Sequence, residues 1–555
     1  MSAHWVCAPI HASHLHRTSS MTTGLTTSGT TTPEPSCSSR RPAGRWYAGG
    51  AVLAAAAGAG VGHLVAGFVS PEASPVLAVG STVIDLTPTP VKEWAVATFG
   101  TADKPILIGS VAIGALAVAG MIGVVARTRR SVGLALLGAL ALTSALAATL
   151  RPTSIAVDLI PGFVTALVGV ATASWFFGLL DRWGATAVDP AAGAGADDTA
   201  RGDGSSGRRH VLAAAAGLGA LAATAGSLGQ ALSRSGSPST VTLPPAAEPL
   251  TPLPRGLEGT VRGISAFRTP NKEFYRIDTA LVIPRVSVEG WKLTIDGEVD
   301  RPSTVTFDDL LAMPLVERDI TLTCVSNEVG GPYIGGARWL GVRTRDLLER
   351  AGVRTGADQI LSHSTEGMTI STPVQALTDD REALVAVAMN GEPLPARHGF
   401  PARLVTPGLY GFVGATKWLT RMEATTYAAK RAYWTERDWA TDAPVLTQSR
   451  IDTPRGLNRL DAGRVVIGGV AWAQQRGIAK VEVRVDGERW QDAQLGPDAG
   501  IDYWRQWFLP WDALPGRHDL TVRATDLNGD VQPEGRTAPF PEGARGWHSI
   551  VVIID

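Results

Sequence analysis

The stretch "TLTCVSNEVGGPYIGGARWLGV" occupies Thr321 to Val342. It is rich in glycine and small polar residues, and it carries a single thiol, Cys324. The other two of the chain's three cysteines, Cys7 and Cys37, lie near the N-terminus. A thiol so far from any partner is either a buried inert side chain or a ligand. Its compartment and its neighbours decide between these.

The compartment is read from the first part of the chain. With 555 residues the sequence exceeds one ordinary core and predicts several domains. The formal net charge of −1 gives no global attraction to nucleic acid. Apolar residues concentrate before about Leu232. Five runs there are long enough to span a bilayer, which takes ~20 residues. They cover Trp46–Ser70, Pro105–Ala126, Ser131–Leu150, Ile155–Leu180 and Val211–Leu232. The alternative for such Ala/Gly-rich runs is buried soluble helix.

Arginine clusters set an orientation, because cationic loops stay on the cytoplasmic side. Arg40, Arg41 and Arg45 precede the first run, Arg127, Arg129 and Arg130 follow the second, and Arg201, Arg208 and Arg209 precede the fifth. These positions agree on a multi-pass plasma-membrane protein with a cytoplasmic N-terminus and an extracytoplasmic C-terminal part. Arg208-Arg209 before "HVLAAAAGLGALAATAG" also resembles a twin-arginine export signal, with an ordinary positive-inside anchor as the other reading. His63 is the only histidine well inside a run. A membrane haem needs two axial ligands, so the runs read as an anchor or docking surface, not an electron-transfer subunit. The glycines of "GAGVGHLVAG" read as helix packing.

The expected organisation has five parts. Residues 1–45 form a disordered cytoplasmic tail, in which His11, His14 and His16 are solvated. Residues 46–232 hold five transmembrane helices, and 233–256 form a Pro/Ser-rich linker. Residues 257–435 are a mixed α+β domain: "WKLTIDGEV" alternates as a strand, while "TFDDLLAM", with Thr306 as N-cap, and "RTRDLLERAGV" read as helices. Residues 436–555 are a run of short strands with turns at Asp486-Gly487 and Asn528-Gly529. They read as an immunoglobulin-like β-sandwich.

Four stretches now go together: "TPNKEFYRIDTALVIPRV" (269–286), the Cys324 segment, "NGEPLPARHGFPARLVTPGLYGFVGATKWL" (390–419) and "YWTERDW" (433–439). Their order resembles the sulfite oxidase family of molybdenum enzymes, and the match is nearest to its bacterial membrane-anchored branch. It extends from about Thr260 to the C-terminus. The resemblance implies a molybdenum–molybdopterin cofactor on the α+β domain, with Cys324 as the protein's metal ligand. Soft sulfur ligands suit such a metal, and one protein sulfur leaves positions open for oxygen and substrate. Glycines near Cys324 would let backbone approach the cofactor.

Other roles follow position by position. Asn271, Phe274 and Tyr275 match a segment lying along the pterin. His398 and Arg403 match cofactor-contacting positions, with Arg403 able to take phosphate bidentately. Gly414, Thr416 and Lys417 match the following glycine turn, and Ser364 and Thr365 match a further contact. Where animal and plant sulfite oxidases carry Arg-Asn-His, this chain reads Asp278-Thr279-Ala280, so Arg276 stands as the substitute arginine. Tyr433, in competition with Tyr427, stands for the active-site tyrosine. The implied reaction is two-electron oxygen-atom transfer on a small sulfur oxyanion or an S-oxide or N-oxide. Electrons would pass to or from a separate carrier, cytochrome or quinone-linked, and the C-terminal domain would serve a homodimer. The alternative from another class is an anchored cell-surface binding protein with an immunoglobulin-like domain and no cofactor.

Overall fold

Apolar runs before residue 235 become helices in the structure, a computed structural model that describes residues 42–151, 153–186, 204–234 and 241–555. Cys7, Cys37, the histidines of the tail, Arg40, Arg41, Arg201 and residues 235–240 of the expected linker lie outside the described residues. The helices are α1 (Gly44–Val69), α2 (Pro75–Leu86), α3 (Thr89–Phe99), α4 (Asp103–Ala126), α5 (Arg130–Thr149), α6 (Ile160–Thr186) and α7 (Gly204–Arg234). Five of them, α1 and α4 to α7, are long and apolar enough to cross a membrane. Gly58, Gly60, Gly62 and Gly67 of α1 are packing sites. A Cβ on Gly58 would lie 2.6 Å from Thr165 O of α6, and one on Gly60 would lie 2.7 Å from Ala222 O of α7. His63 sits beside Ser74, with Nδ1 2.8 Å from its Oγ. The sequence reading did not anticipate α2 and α3, which connect α1 to α4.

The middle of the chain is α+β. Its elements are β1 (Lys292–Gly297), β2 (Ser303–Thr306), α8 (Phe307–Ala312), β3 (Val316–Thr323), β4 (Ile334–Arg343), α9 (Thr344–Ala351), β5 (Gln359–Ser364) and β6 (Thr369–Pro373). Then come α10 (Val374–Thr378), β7 (Leu384–Met389), β8 (Glu392–Pro393), β9 (Arg403–Val405), α11 (Gly411–Gly414) and β10 (Leu419–Thr425). Thr306 does cap α8. Its Oγ1 accepts from Asp309 N, and the Asp309 carboxylate accepts from Thr306 N. One sheet runs β2-β1-β10-β5-β6, with β1 and β10 parallel. The other runs β3-β4-β7-β8, with β9 on β7. Every residue of β7 is buried, as its unbroken apolar sequence requires. Leu293 and Ile295 of β1, Val385 of β7, Leu404 of β9 and Leu347 of α9 share one core.

Beyond Thr425 the chain is β-rich, with β11 (Gln448–Thr453), β12 (Arg459–Leu460), β13 (Gly463–Trp472), β14 (Ile478–Val485), β15 (Gln491–Asp492), β16 (Gln494–Leu495), β17 (Arg505–Ala513), β18 (Gly516–Asp526) and β19 (His548–Ile554). They form two sheets, β11-β13-β17-β16 and β12-β19-β18-β14-β15. Ile467 and Trp507 of the first share a core with Val481, Val522 and Val552 of the second.

Candidate active site

Cys324 is the first residue after β3, and three parts of the chain hold that point. The Cys324 N–H donates to Tyr333 O at 3.0 Å, and Asn327 Oδ1 accepts from Tyr333 N at 2.8 Å, closing the loop between β3 and β4 on itself. Three residues earlier, Thr321 N donates to Asp502 O, and Thr321 Oγ1 accepts from Trp504 N, each at 2.9 Å. The β-rich region thereby clamps the strand that presents the thiol. The glycine pair in β4 serves this packing. A Cβ on Gly335 would lie 2.8 Å from the Phe274 ring, and one on Gly336 would lie 2.6 Å from Tyr503. These two glycines make room for aromatic rings, while Gly331, nearer Cys324 in sequence, lies on the cavity wall beside it.

Cys324 opens into a cavity of about 640 Å³, within the usual size range of cofactor and ligand sites. Phe274, Tyr275, Ser364, Arg403, Thr416 and Lys417 also line it. These residues come from β5, β9 and two loops, so the fold brings together positions up to about 140 apart in sequence. The Phe274 and Tyr275 rings stack at 5.2 Å between centroids. Arg403 is buried and donates to His398 O at 3.1 Å and Ala415 O at 3.4 Å, with the Trp339 ring 5.1 Å away. It takes part in no ion pair among the described residues. Burial pulls its pKa down to about 10. Burial likewise lowers Lys417 to about 8, even though its Nζ lies 2.9 Å from Asp278 Oδ2 and also donates to Ile277 O. Burial raises the Cys324 thiol; a bond with Ser326 Oγ at 2.9 Å opposes this, as does the Lys417 charge.

Asp278, itself on the cavity wall, anchors a buried ion cluster. Burial works against its carboxylate, but Lys417, Lys104 and Arg276 outweigh that and hold its pKa far below the usual range. Lys104 Nζ is 2.7 Å from Asp278 Oδ1, and Arg276 makes two 2.8 Å bonds to the same carboxylate.

The remaining sequence-derived positions are not on this wall. Arg276 is turned into the Asp278 cluster. Tyr433 faces a second cavity of about 100 Å³, lined by Glu72, Asp85 and Arg151. Its ring is held by the Arg437 guanidinium, 3.5 Å from the centroid, and its hydroxyl donates to Asp85 at 3.1 Å. Tyr427 donates to Thr441 O. The tyrosines on Cys324's wall are Tyr275 and Tyr333. His398 is fully buried, with Nε2 2.8 Å from Asn271 O, and burial lowers its pKa to about 3. Asn271 is tied to Met389 O and Asn390. Gly414 packs against Thr406, and Thr365 donates to Trp418 O. These four support the wall from behind.

Sequence reasoning missed Glu366, Trp434, Trp439, Pro539 and three residues of α3, namely Pro90, Lys92 and Trp94, all on the wall. Trp434 and Trp439 lie inside a quoted motif, so a signal existed. Nothing in the local sequence of α3 points to a site that begins more than 170 residues further along the chain, at Phe274. Glu366 lines both cavities, and its Oε2 has no hydrogen-bond partner. Burial, followed by the Asp278 charge, pushes its carboxyl up to about 8. An acid with a raised folded pKa contributes stability that is complete below its unfolded value, near 4.5, and lost as pH rises through about 8. Glu366→Gln lacks this titration. Between about pH 6 and about pH 9 the parent's melting temperature is therefore expected to fall relative to that of the variant. Parallel melting curves would contradict the burial of this carboxylate.

The residues present fit a large anionic cofactor. A buried guanidinium with no ion pair, a buried ammonium, and orphaned Ser364 Oγ and Glu366 Oε2 all face the same space. Among the described residues no group of three His, Cys, Asp or Glu is placed to hold a metal ion. A metal at Cys324 would therefore take its other ligands from a cofactor or solvent.

Residues 280–434 match the family model described as oxidoreductase molybdopterin binding domain. The mitochondrial sulfite oxidase of Homo sapiens is 30% identical over 341 residues, covering 52% of this chain and 62% of that protein. The uncharacterized oxidoreductase YuiH of Bacillus subtilis is 38% identical over 135 residues, covering 24% of this chain and 65% of that protein. The solved sulfane dehydrogenase SoxCD from Paracoccus pantotrophus is 24% identical with a TM-score of 0.47, covering 53% of this chain and 84% of that one. The chain thus spans less than two thirds of the length of these curated relatives.

Proposed function

We propose that this chain, which carries a molybdopterin-binding domain of sulfite oxidase type at residues 280–434, is a membrane-anchored, extracytoplasmic molybdenum oxidoreductase. Its substrate is a small sulfur oxyanion or an S-oxide or N-oxide. The observation that carries the reading is the lone Cys324 thiol opening into a 640 Å³ cavity beside buried Arg403 and nearly buried Lys417. When bound, the molybdenum–molybdopterin group supplies two-electron oxygen-atom transfer. The chain's own residues hold and insulate it. Cys324 provides the soft ligand. Arg403, which makes hydrogen bonds to carbonyls but no ion pair among the described residues, takes anionic oxygens. Lys417 and Thr416 add a cation and a hydroxyl, and Phe274 and Tyr275 give a flat apolar surface. Asn271, Thr365, His398 and Gly414 position these groups, and Arg276 acts through Asp278.

Several features support the anchor. Ile113 and Leu167 are each 71% exposed on the outer faces of their helices, an apolar surface that lipid would cover. Five crossings put the α1–α4 connection and everything after α7 on one side, and Lys104 and Asp85 do touch the α+β part. The domain limits we assign are 1–45, 46–232, 233–256, 257–435 and 436–555, the last an immunoglobulin-like module suited to a homodimer. Electrons pass to or from a separate cytochrome or quinone-linked carrier.

The test is molybdenum and pterin analysis of the full chain, purified in detergent from a molybdate-replete host that makes the cofactor. Near-stoichiometric molybdenum is expected. A metal-free and pterin-free product would overturn the reading.

A further inference from the structure

The connection between α1 and α4 does more than join two helices. Together with the first turn of α4, it docks on the α+β part at three places. Lys104 bonds to Asp278 Oδ1 and Ala280 O, both at 2.7 Å. Asp85 accepts from Tyr433 at 3.1 Å and lies 3.9 Å from Arg437. Glu72 and Asp85 line the small second cavity beside Glu366. So docked, α3 places Pro90, Lys92 and Trp94 on the wall of Cys324's cavity.

Lys92 differs from the other cations there. Arg403 is buried and Lys417 nearly so, and they are bound to carbonyls and Asp278. Lys92 is half-buried, its Nζ 3.5 Å from Tyr433 Oη, and it makes no ion pair among the described residues. The wall that Lys92 shares also carries the aromatic and apolar side chains of Trp94, Phe412, Trp434, Trp439 and Pro539. Burial lowers its pKa; the Arg437 charge adds to this and Asp85 opposes it. A bound anion would offset that cost, and charge attraction strengthens where water is excluded.

Resting on the enzymatic reading above, we propose that the α1–α4 connection is a built-in wall of the reaction cavity. Lys92 is its anion-recognising residue, receiving the negatively charged oxygen group of a substrate whose remainder packs against the tryptophans. The specificity determinant thus lies in the helical region, outside the molybdopterin-binding domain.

The probe is sulfate, titrated calorimetrically into the full chain in detergent, alongside steady-state oxidation of sulfite with ferricyanide. Saturable sulfate binding by the parent is expected. Lys92→Gln is expected to weaken it about ten- to a hundredfold, and to raise KM similarly while kcat stays within about threefold, as for loss of one charge-assisted contact. Lys92→Arg should keep both near the parent values. Lys92→Met gives the same readouts if the Gln variant folds poorly. A parent that does not bind sulfate up to about 10 mM overturns the proposal. So do Lys92→Gln and Lys92→Met variants that bind it as the parent does, or an Arg variant as weak as Gln. Sulfate binding is read whether or not molybdenum is present. Loss of metal from the parent would therefore sink the enzymatic reading alone, and an unchanged sulfate affinity would sink the role of Lys92 alone.

Discussion

Cys324→Ser is expected to give a folded chain that has lost its molybdenum and with it roughly three orders of magnitude or more of turnover. The substitution removes one sulfur and little volume. Its backbone stays pinned by Tyr333 O, and β3 stays pinned by Asp502 and Trp504, so the fold has no reason to change. The chemistry does change. A serine hydroxyl is a hard donor that does not ionise near neutral pH, whereas a thiol becomes a soft thiolate once a metal replaces its proton. No cluster of three other His, Cys, Asp or Glu side chains stands ready among the described residues to take over. Molybdenum-to-protein ratio, melting temperature and turnover should be measured together. Retention of metal at the parent ratio, with turnover within tenfold, would show that Cys324 is an ordinary buried thiol.

Asp278→Ala is expected to destabilise the chain by about 3–5 kcal/mol, the usual cost of removing one partner from a buried ion pair. The Asp278 side chain is only 7% exposed and faces three cations, Lys104, Arg276 and Lys417. Without it, three positive groups repel in a poorly hydrated space, and Lys104 loses its main tie between the helical region and the α+β part. The pH dependence has a definite sign. A carboxyl with a depressed folded pKa contributes stability that is complete above its unfolded value, near 3.8, and lost as pH falls towards the folded one. The parent should therefore lose stability on acidification below about pH 4, a loss the variant does not share. Thermal unfolding, with limited proteolysis of the α1–α4 connection, reads both effects. An unchanged melting point at neutral pH, with a protected connection, would mean that the cluster contributes nothing.

Much of this molecule was legible residue by residue. The long apolar runs could only be helices, because their backbone groups must bond within the segment wherever water is scarce. Capping at Thr306 and Asp309 was readable, since both partners lie within one turn. The cavity residues Cys324, Arg403, Thr416 and Lys417 were found because each sits in a motif with distinctive neighbours. Two other assigned positions lie off the Cys324 cavity wall, for physical reasons visible at single side chains. Tyr433 is turned from Cys324 because Arg437 covers its ring and Asp85 holds its hydroxyl. Arg276 is turned inward because Asp278, two residues on, takes both arms of its guanidinium. Asp85 lies 348 residues from Tyr433, where no local pattern reveals it, and Asp278, though only two residues from Arg276, holds it because the fold buries the pair together with Lys104 and Lys417.

The sequence by itself determined the five apolar helices, the mixed α+β middle, the strands that follow, and the identity of the lone sulfur. All of these rest on periodicity, chain-local hydrogen bonding and residue chemistry. Only the tertiary structure decided that the cavity wall is shared by a helix near residue 92, the α+β part and a loop near Pro539. Contacts across such separations depend on how the elements pack and on which charges become buried together, and no short window of residues encodes them.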